Sequence, residues 1–355
     1  MRDSLRTPSA ARAAWAKLPR IKGQLKTAAK VLVVLVIFGF IFRVLHRNSG
    51  QIRDALERGE LFLRWRYLGA SYLFLFAHLV SRSLLWHLIT IRNNAAIDIR
   101  KAVVSWFISI LGKNIPGKVF LLAGRVYLYR KHGVGAARVT FCFMLEATSA
   151  LVASALLLML CLLLLDFPAA ERIKPYQPAL AVGVMLILIA LHPRYLQRLV
   201  SFGLKRLKKE PVTLTVRYTD ILSFVALACF NWLLLGAGFF LLANSVVHVD
   251  WRYLGYMTGA FSFAAIVGVL SVFAPAGLGV REGVLLAMIH DIMGAGLATI
   301  VVLSARLWMT LGEVGGAAVA ILADRVFLRT GETHTLPTSK ADRSAEARPN
   351  AGEED

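Results

Sequence analysis

The chain has 355 residues, 57% of them hydrophobic and only 17% charged, and a mean hydropathy of +0.62. That balance excludes a soluble domain and points to a polytopic helical membrane protein. The formal net charge is +20, but Lys and Arg sit in short segments between apolar runs, as the positive-inside rule expects, which argues against nucleic acid as the partner.

Residues 1–28 read as a basic cytoplasmic segment: positions 1–30 hold eight Lys or Arg against a single acid, Asp3. Such a segment suits a surface of anionic lipid. The apolar stretch behind it starts late and ends at Arg43 rather than at a small-residue cleavage site, so it is expected to remain as a membrane anchor over 29–45. The loop 46–66 carries five Arg with Asp54, Glu57 and Glu60, and its Ile52, Leu56, Leu61 and Phe62 predict an amphipathic helix on the outer interface. Further spans are predicted at 67–91, 139–165, 178–193, 221–247 and 296–328; the last holds Gly312, Gly315 and Gly316 and could be two pieces. Cys142, Cys161 and Cys229 fall inside spans without metal-ligand spacing and read as small buried apolar residues. From Thr330 to Asp355 the composition is that of a disordered polar tail.

Two more apolar arms, 102–112 and 254–273, lead into Pro-Gly motifs: Lys113-Asn114-Ile115-Pro116-Gly117-Lys118 and Pro275-Ala276-Gly277-Leu278-Gly279-Val280-Arg281-Glu282-Gly283. Irregular backbone at membrane depth is tolerated only inside protein or along a polar cavity. Six crossings place 92–101, 193–220 and the C-terminus in the cytoplasm, as the N-terminus, provided the two arms are re-entrant. The chain is thus expected to be all-α, with six to eight transmembrane helices over 29–328 and two re-entrant hairpins in an inverted repeat. One unit is 67–91, arm, Pro116 turn and 139–165; the other is 221–247, arm, Pro275 turn and 296–328.

In the second motif Pro275 ends a helix, Gly277 and Gly279 free the backbone to turn, and a helix restarting at Arg281-Glu282 would aim free amides at an anion. Arg281 adds a fork suited to phosphate, and Glu282 could pair with Arg281 or with a substrate amine. The bland alternative is a hairpin whose Arg and Glu neutralise each other. Around the first motif Lys113, Asn114, Lys118 and Arg125 favour a phosphate headgroup, against simple positive-inside anchoring. Arg82, Glu146, Arg306 and Glu313 lie within spans, where ionisable groups face the bundle interior. Arg306 and Glu146 are expected to line the central cavity, the alternative being ion pairs that only fix packing. His78 and His87 read as packing residues. No P-loop, zinc motif or nucleophile elbow is present in the sequence, so no cofactor is expected.

With these residues quoted, Asn114-Ile115-Pro116-Gly117, Arg125, the Pro275–Glu282 run and Arg306, the chain resembles the transmembrane region of the lysylphosphatidylglycerol synthase family, a flippase-like domain also found free-standing in bacterial inner membranes. The resemblance covers about 25–328. The usual Gly after the second-motif proline is Ala276 here, and apolar Phe120 and Leu121 stand where an acidic residue is common beyond the first Pro-Gly; both bear on substrate more than on fold. The resemblance implies a lipid-handling bundle. It also implies that lysyl transfer, the task of a separate cytosolic domain in two-domain relatives, is not expected of this chain. The expected function is a lipid flippase or lipid-binding transporter of the bacterial cytoplasmic membrane taking a phospholipid, glycolipid or polyprenyl-linked substrate. A membrane glycosyltransferase using a polyprenyl-phosphate donor, with Asp54, Glu57 and Glu60 as its carboxylates, or a non-transporting partner of a separately encoded lipid-modifying enzyme, are the alternatives. The oligomeric state is not legible.

Overall fold

The computed structural model describes residues 43, 46, 49–59, 61–114, 119–164, 174–190, 192, 216–271 and 279–332. The expected span 29–45 apart from Arg43, the basic 1–28 segment, Arg194 to Lys209 of the basic loop and the tail beyond Glu332 lie outside the described residues. Those described are helical, with no strand among them. In chain order the helices are α1 (Ser49–Glu57), α2 (Trp65–Arg92), α3 (Ile99–Ile110), α4 (Val119–Arg130), α5 (Ala136–Leu164), α6 (Gln177–Ala190), α7 (Tyr218–Val246), α8 (Leu254–Leu270) and α9 (Val280–Glu332). Short 3-10 turns at Leu111–Asn114 and Trp251–Tyr253 follow α3 and precede α8. Five stretches are long and apolar enough to cross a membrane: Trp65–Arg92, Ala136–Cys161, Tyr218–Val246, Trp251–Leu270 and Val280–Arg325. Leu73, Val80, Met185, Leu233, Leu311 and Val319 are exposed on their outer faces, a surface that suits acyl chains rather than water. The protein is an all-α polytopic membrane protein.

The most extensive helix pair is α2 with α7, and it is antiparallel. At one end the Phe62 and Arg64 amides donate to the carbonyls of Val246 and Ser245 (3.1 and 2.9 Å). Midway His78 Nδ1 meets the Asn231 carbonyl at 2.8 Å. At the other end Arg92 pairs with Asp220 at 3.5 Å. We call these the Val246 end and the Asp220 end.

From the Asp220 end, α3 departs under an N-cap in which Asp98 accepts from the Arg100 amide at 3.0 Å. It then folds back through α4: a Cβ on Gly112 would meet the Phe120 backbone at 3.0 Å, and Ser109 faces Gly124. The end of α4 returns beside α2, where Trp86 Nε1 donates to the Tyr129 hydroxyl at 2.7 Å. From the Val246 end, α8 departs and α9 folds back along it. Gly268 there lies against Arg281, and the Tyr256 hydroxyl donates to the Met288 carbonyl at 2.7 Å. The order helix, hairpin, helix therefore occurs twice, with the hairpins attached at opposite ends of the α2–α7 pair.

Two boundaries differ from expectation. The last helix begins at Val280 rather than near 296, because the second motif leads straight into it, and it runs on to Glu332, beyond Thr330. Its break falls at Gly294 (φ 77°, ψ 157°), not at Gly312, Gly315 or Gly316. Gly312 and Gly316 instead admit neighbours, Leu75 and the Phe107 ring. The backbone angles at Gly294 are closed to side chains, so Gly294→Ala is expected to lower stability by about 1–3 kcal/mol, read from thermal unfolding of the purified protein in detergent. The loop helix expected near Ile52 is present as α1. Its Glu57 pairs in the open with Arg53 at 3.3 Å, Asp54 is exposed, and Glu60 lies outside the described residues.

Candidate functional site

Described residues that flank the turns of the two hairpins, Lys113 after α3 and Arg281 and Glu282 at the start of α9, bring charge together on one face of α9. Helix α9 is the scaffold: Arg306, Met309 and Glu313 are spaced i, i+3 and i+7 and so share one face. Each holds one of those side chains. Glu282, in the first turn of α9, accepts from Arg306 Nη1 at 3.3 Å. Arg281 donates from Nη2 to the Met309 thioether at 3.1 Å and lies over the Phe261 ring at 4.8 Å. Lys113, in the turn after α3, forms an ion pair with Glu313 Oε1.

Glu282, Arg306 and Glu313 are all buried. The group thus counts three cations, Lys113, Arg281 and Arg306, against two carboxylates. Among the described residues Arg281 pairs with no carboxylate; its guanidinium rests on a sulfur, which is a weak acceptor, and on an aromatic face. Close passage makes this possible, since a Cβ on Gly268 would stand 2.8 Å from that of Arg281.

Gly279 sits at φ 82°, in the left-handed region that suits glycine. Its amide donates to Glu282 Oε2 at 2.9 Å, the reciprocal half of a capping box. The expected free amide at this helix start is therefore taken by the chain's own carboxylate. Glu282 pairs with Arg306 rather than with its neighbour Arg281, so the simple neutralised hairpin is not what forms.

A second buried network lies at the base of the first hairpin. Glu146 on α5 pairs through Oε2 with Arg125 on α4, and through Oε1 it takes Arg82 Nη2 at 3.0 Å and Trp106 Nε1 at 3.2 Å. Arg125 also donates from Nε to Ser109 Oγ at 3.0 Å and lies over the Trp86 ring at 4.2 Å. Only 1% of Arg125 and 2% of Glu146 is exposed, and both carboxylate oxygens of Glu146 are bonded inside the protein. This arrangement fastens α4 to α2, α3 and α5. Glu146 and Arg306, expected at one cavity, stand in separate networks.

The backbone of Asn114 closes the turn after α3. Pro116, Gly117, Lys118, Pro275 and Gly277 lie outside the described residues. Sequence reasoning gave Lys113 as a motif cation and, from their seven-residue spacing, Arg306 and Glu313 as sharing one helix face, which they do; it missed Met309 between them. The seven-residue spacing from Arg306 to Glu313 was the available signal for that face. His78 is a packing residue, held by the Asn231 carbonyl.

None of the curated proteins compared matches the chain. The family model for the lysylphosphatidylglycerol synthase TM region, in contrast, matches residues 27–312, a stretch that contains both hairpins together with Arg125, Glu146, Arg281, Glu282 and Arg306, and by that match the chain belongs to this family.

Proposed function

We propose that the protein binds a membrane lipid by its phosphate and carries it across the bilayer of the bacterial cytoplasmic membrane, as a transporter rather than an enzyme. The observation that carries this reading is the cation excess on the α9 face that both hairpins reach: Lys113, Arg281 and Arg306 against Glu282 and Glu313, with Arg281 on a thioether. Unbalanced positive charge inside a membrane bundle is expensive unless a ligand uses it, and a guanidinium fork matches phosphate oxygens. In this reading both hairpins are re-entrant, α3–α4 from the Asp220 end and α8 with the start of α9 from the Val246 end. Their tips then meet near mid-membrane, and rocking of one repeat against the other alternates access.

The Asp220 end bears Arg92, Arg100, Lys101, Arg130, Lys131, Arg138, Arg217 and Arg325 against Asp98, Asp220 and Asp324, which supports placing it, and both termini, in the cytoplasm. A separately encoded lipid-modifying enzyme would supply or consume the lipid.

The test is translocation of acyl-labelled phospholipids, glycolipids and polyprenyl phosphates in proteoliposomes. Arg281→Ala is expected to slow movement roughly 10- to 100-fold, the loss of one hydrogen bond to a charged group, with Arg281→Lys retaining part. Equal rates for the Ala variant and the parent protein, both folded, would overturn the reading.

A further inference from the structure

Glu313 is not used by the phosphate reading, and its chemistry is unusual. It is 1% exposed. One carboxylate oxygen, Oε1, takes Lys113; the other, Oε2, is buried without any hydrogen-bond partner among the described residues. A desolvated carboxylate oxygen lacking a donor is costly, and such atoms in folded proteins call for an explanation.

Its position supplies one. Along the face of α9, Arg281 is held at Met309 and Lys113 at Glu313, one turn further on, a rise of about 6 Å. A phosphate docked at Arg281 would therefore have a strong, bare acceptor one turn away, in the direction of the Asp220 end. That spacing suits a headgroup whose phosphate continues into a short carbon arm ending in a donor.

We propose that Glu313 is a specificity residue for the headgroup: Oε2 accepts a hydrogen bond from an O–H or N–H group carried beyond the phosphate, so that lipids with such a donor are preferred over those ending in a fully methylated amine. The proposal rests on the phosphate reading above. A hydroxyl and a primary ammonium share the required chemistry. Glycerol-type and ethanolamine-type headgroups therefore both qualify, and the choline type does not.

Binding, measured on the whole protein in detergent with short-chain phosphatidylglycerol, phosphatidylethanolamine, phosphatidylcholine and phosphatidic acid, tests this without requiring transport. The parent protein is expected to bind at least one of the two donor-bearing lipids about tenfold or more tighter than phosphatidylcholine. Whichever of the two is preferred identifies the donor as hydroxyl or ammonium. Glu313→Gln is expected to bring that ratio near one, whatever its effect on the affinity common to all four phosphates. If Gln at 313 unfolds the protein by stranding Lys113, the Lys113→Met/Glu313→Leu pair, which replaces both partners with apolar groups, is expected to fold and to show the same loss of preference. Equal binding of the four lipids by the parent protein, or a preference that survives in the variants, overturns the proposal and leaves phosphate docking standing. Failure of all four to bind removes phosphate docking and this proposal together.

Discussion

Replacing Glu146 with Ala is expected to lower stability by about 3–5 kcal/mol, because it strands Arg125 and Arg82 without their shared carboxylate. Arg125 carries most of the loss, since its side chain is 2% exposed whereas that of Arg82 is 27% exposed and can reach a wetter setting. Glu146→Gln keeps the shape but not the charge and should recover only part of the loss. The sharper comparison is the Glu146→Met/Arg125→Met pair. Removing both charges leaves no stranded ion, so the double variant should unfold closer to the parent protein than Glu146→Ala does. Unfolding in graded denaturing detergent reads all three. A Glu146→Ala protein as stable as its parent would mean that the network does not hold the first hairpin.

The second large effect is at Glu282, which serves two partners at once, Arg306 and the Gly279 amide. Glu282→Ala is expected to cost about 3–5 kcal/mol as a broken buried pair, and it also takes away the cap that starts α9. It differs from the change at Glu146 in its consequence for ligands. Without Glu282 the cluster on α9 has three cations and one acid, so any phosphate that binds there should offset part of the lost stability. Adding a phosphate-bearing lipid in excess is therefore expected to raise the unfolding temperature of Glu282→Ala more than that of Glu146→Ala, by the usual linkage of binding to folding. Equal shifts would place the phosphate elsewhere.

Much of this architecture was legible before any coordinates. The two apolar arms ending in Pro-Gly motifs announced the hairpins, and charge at membrane depth singled out Arg281, Glu282 and Arg306, which do come together. What could not be read was which helix each buried charge would meet. Glu146 and Arg306 share burial and sign-matched partners, but their neighbours come from different hairpins, and helical periodicity says which face is inward without saying what it faces. Gly294 was hidden for a related reason: it sits in a Gly-Ala-Gly stretch of ordinary apolar composition, and nothing local distinguishes a glycine that breaks a helix from one that lets a neighbour in, as Gly312 does. The Gly279 amide was misjudged because the glutamate three residues on, Glu282, reaches back to it in a capping box.

The antiparallel pairing of α2 with α7 also constrains how the protein is made. His78 must wait for Asn231, 153 residues later in the chain, and at typical synthesis rates of 5–20 residues per second that interval is roughly 8–30 s. During it, the inward face of α2, with His78 and Arg82, lies in the bilayer without its main partner. A chain arrested between α5 and α7 is therefore expected to present that face unpaired, which greater protease sensitivity of α2 in the membrane-inserted arrested chain, relative to the full-length protein, would read.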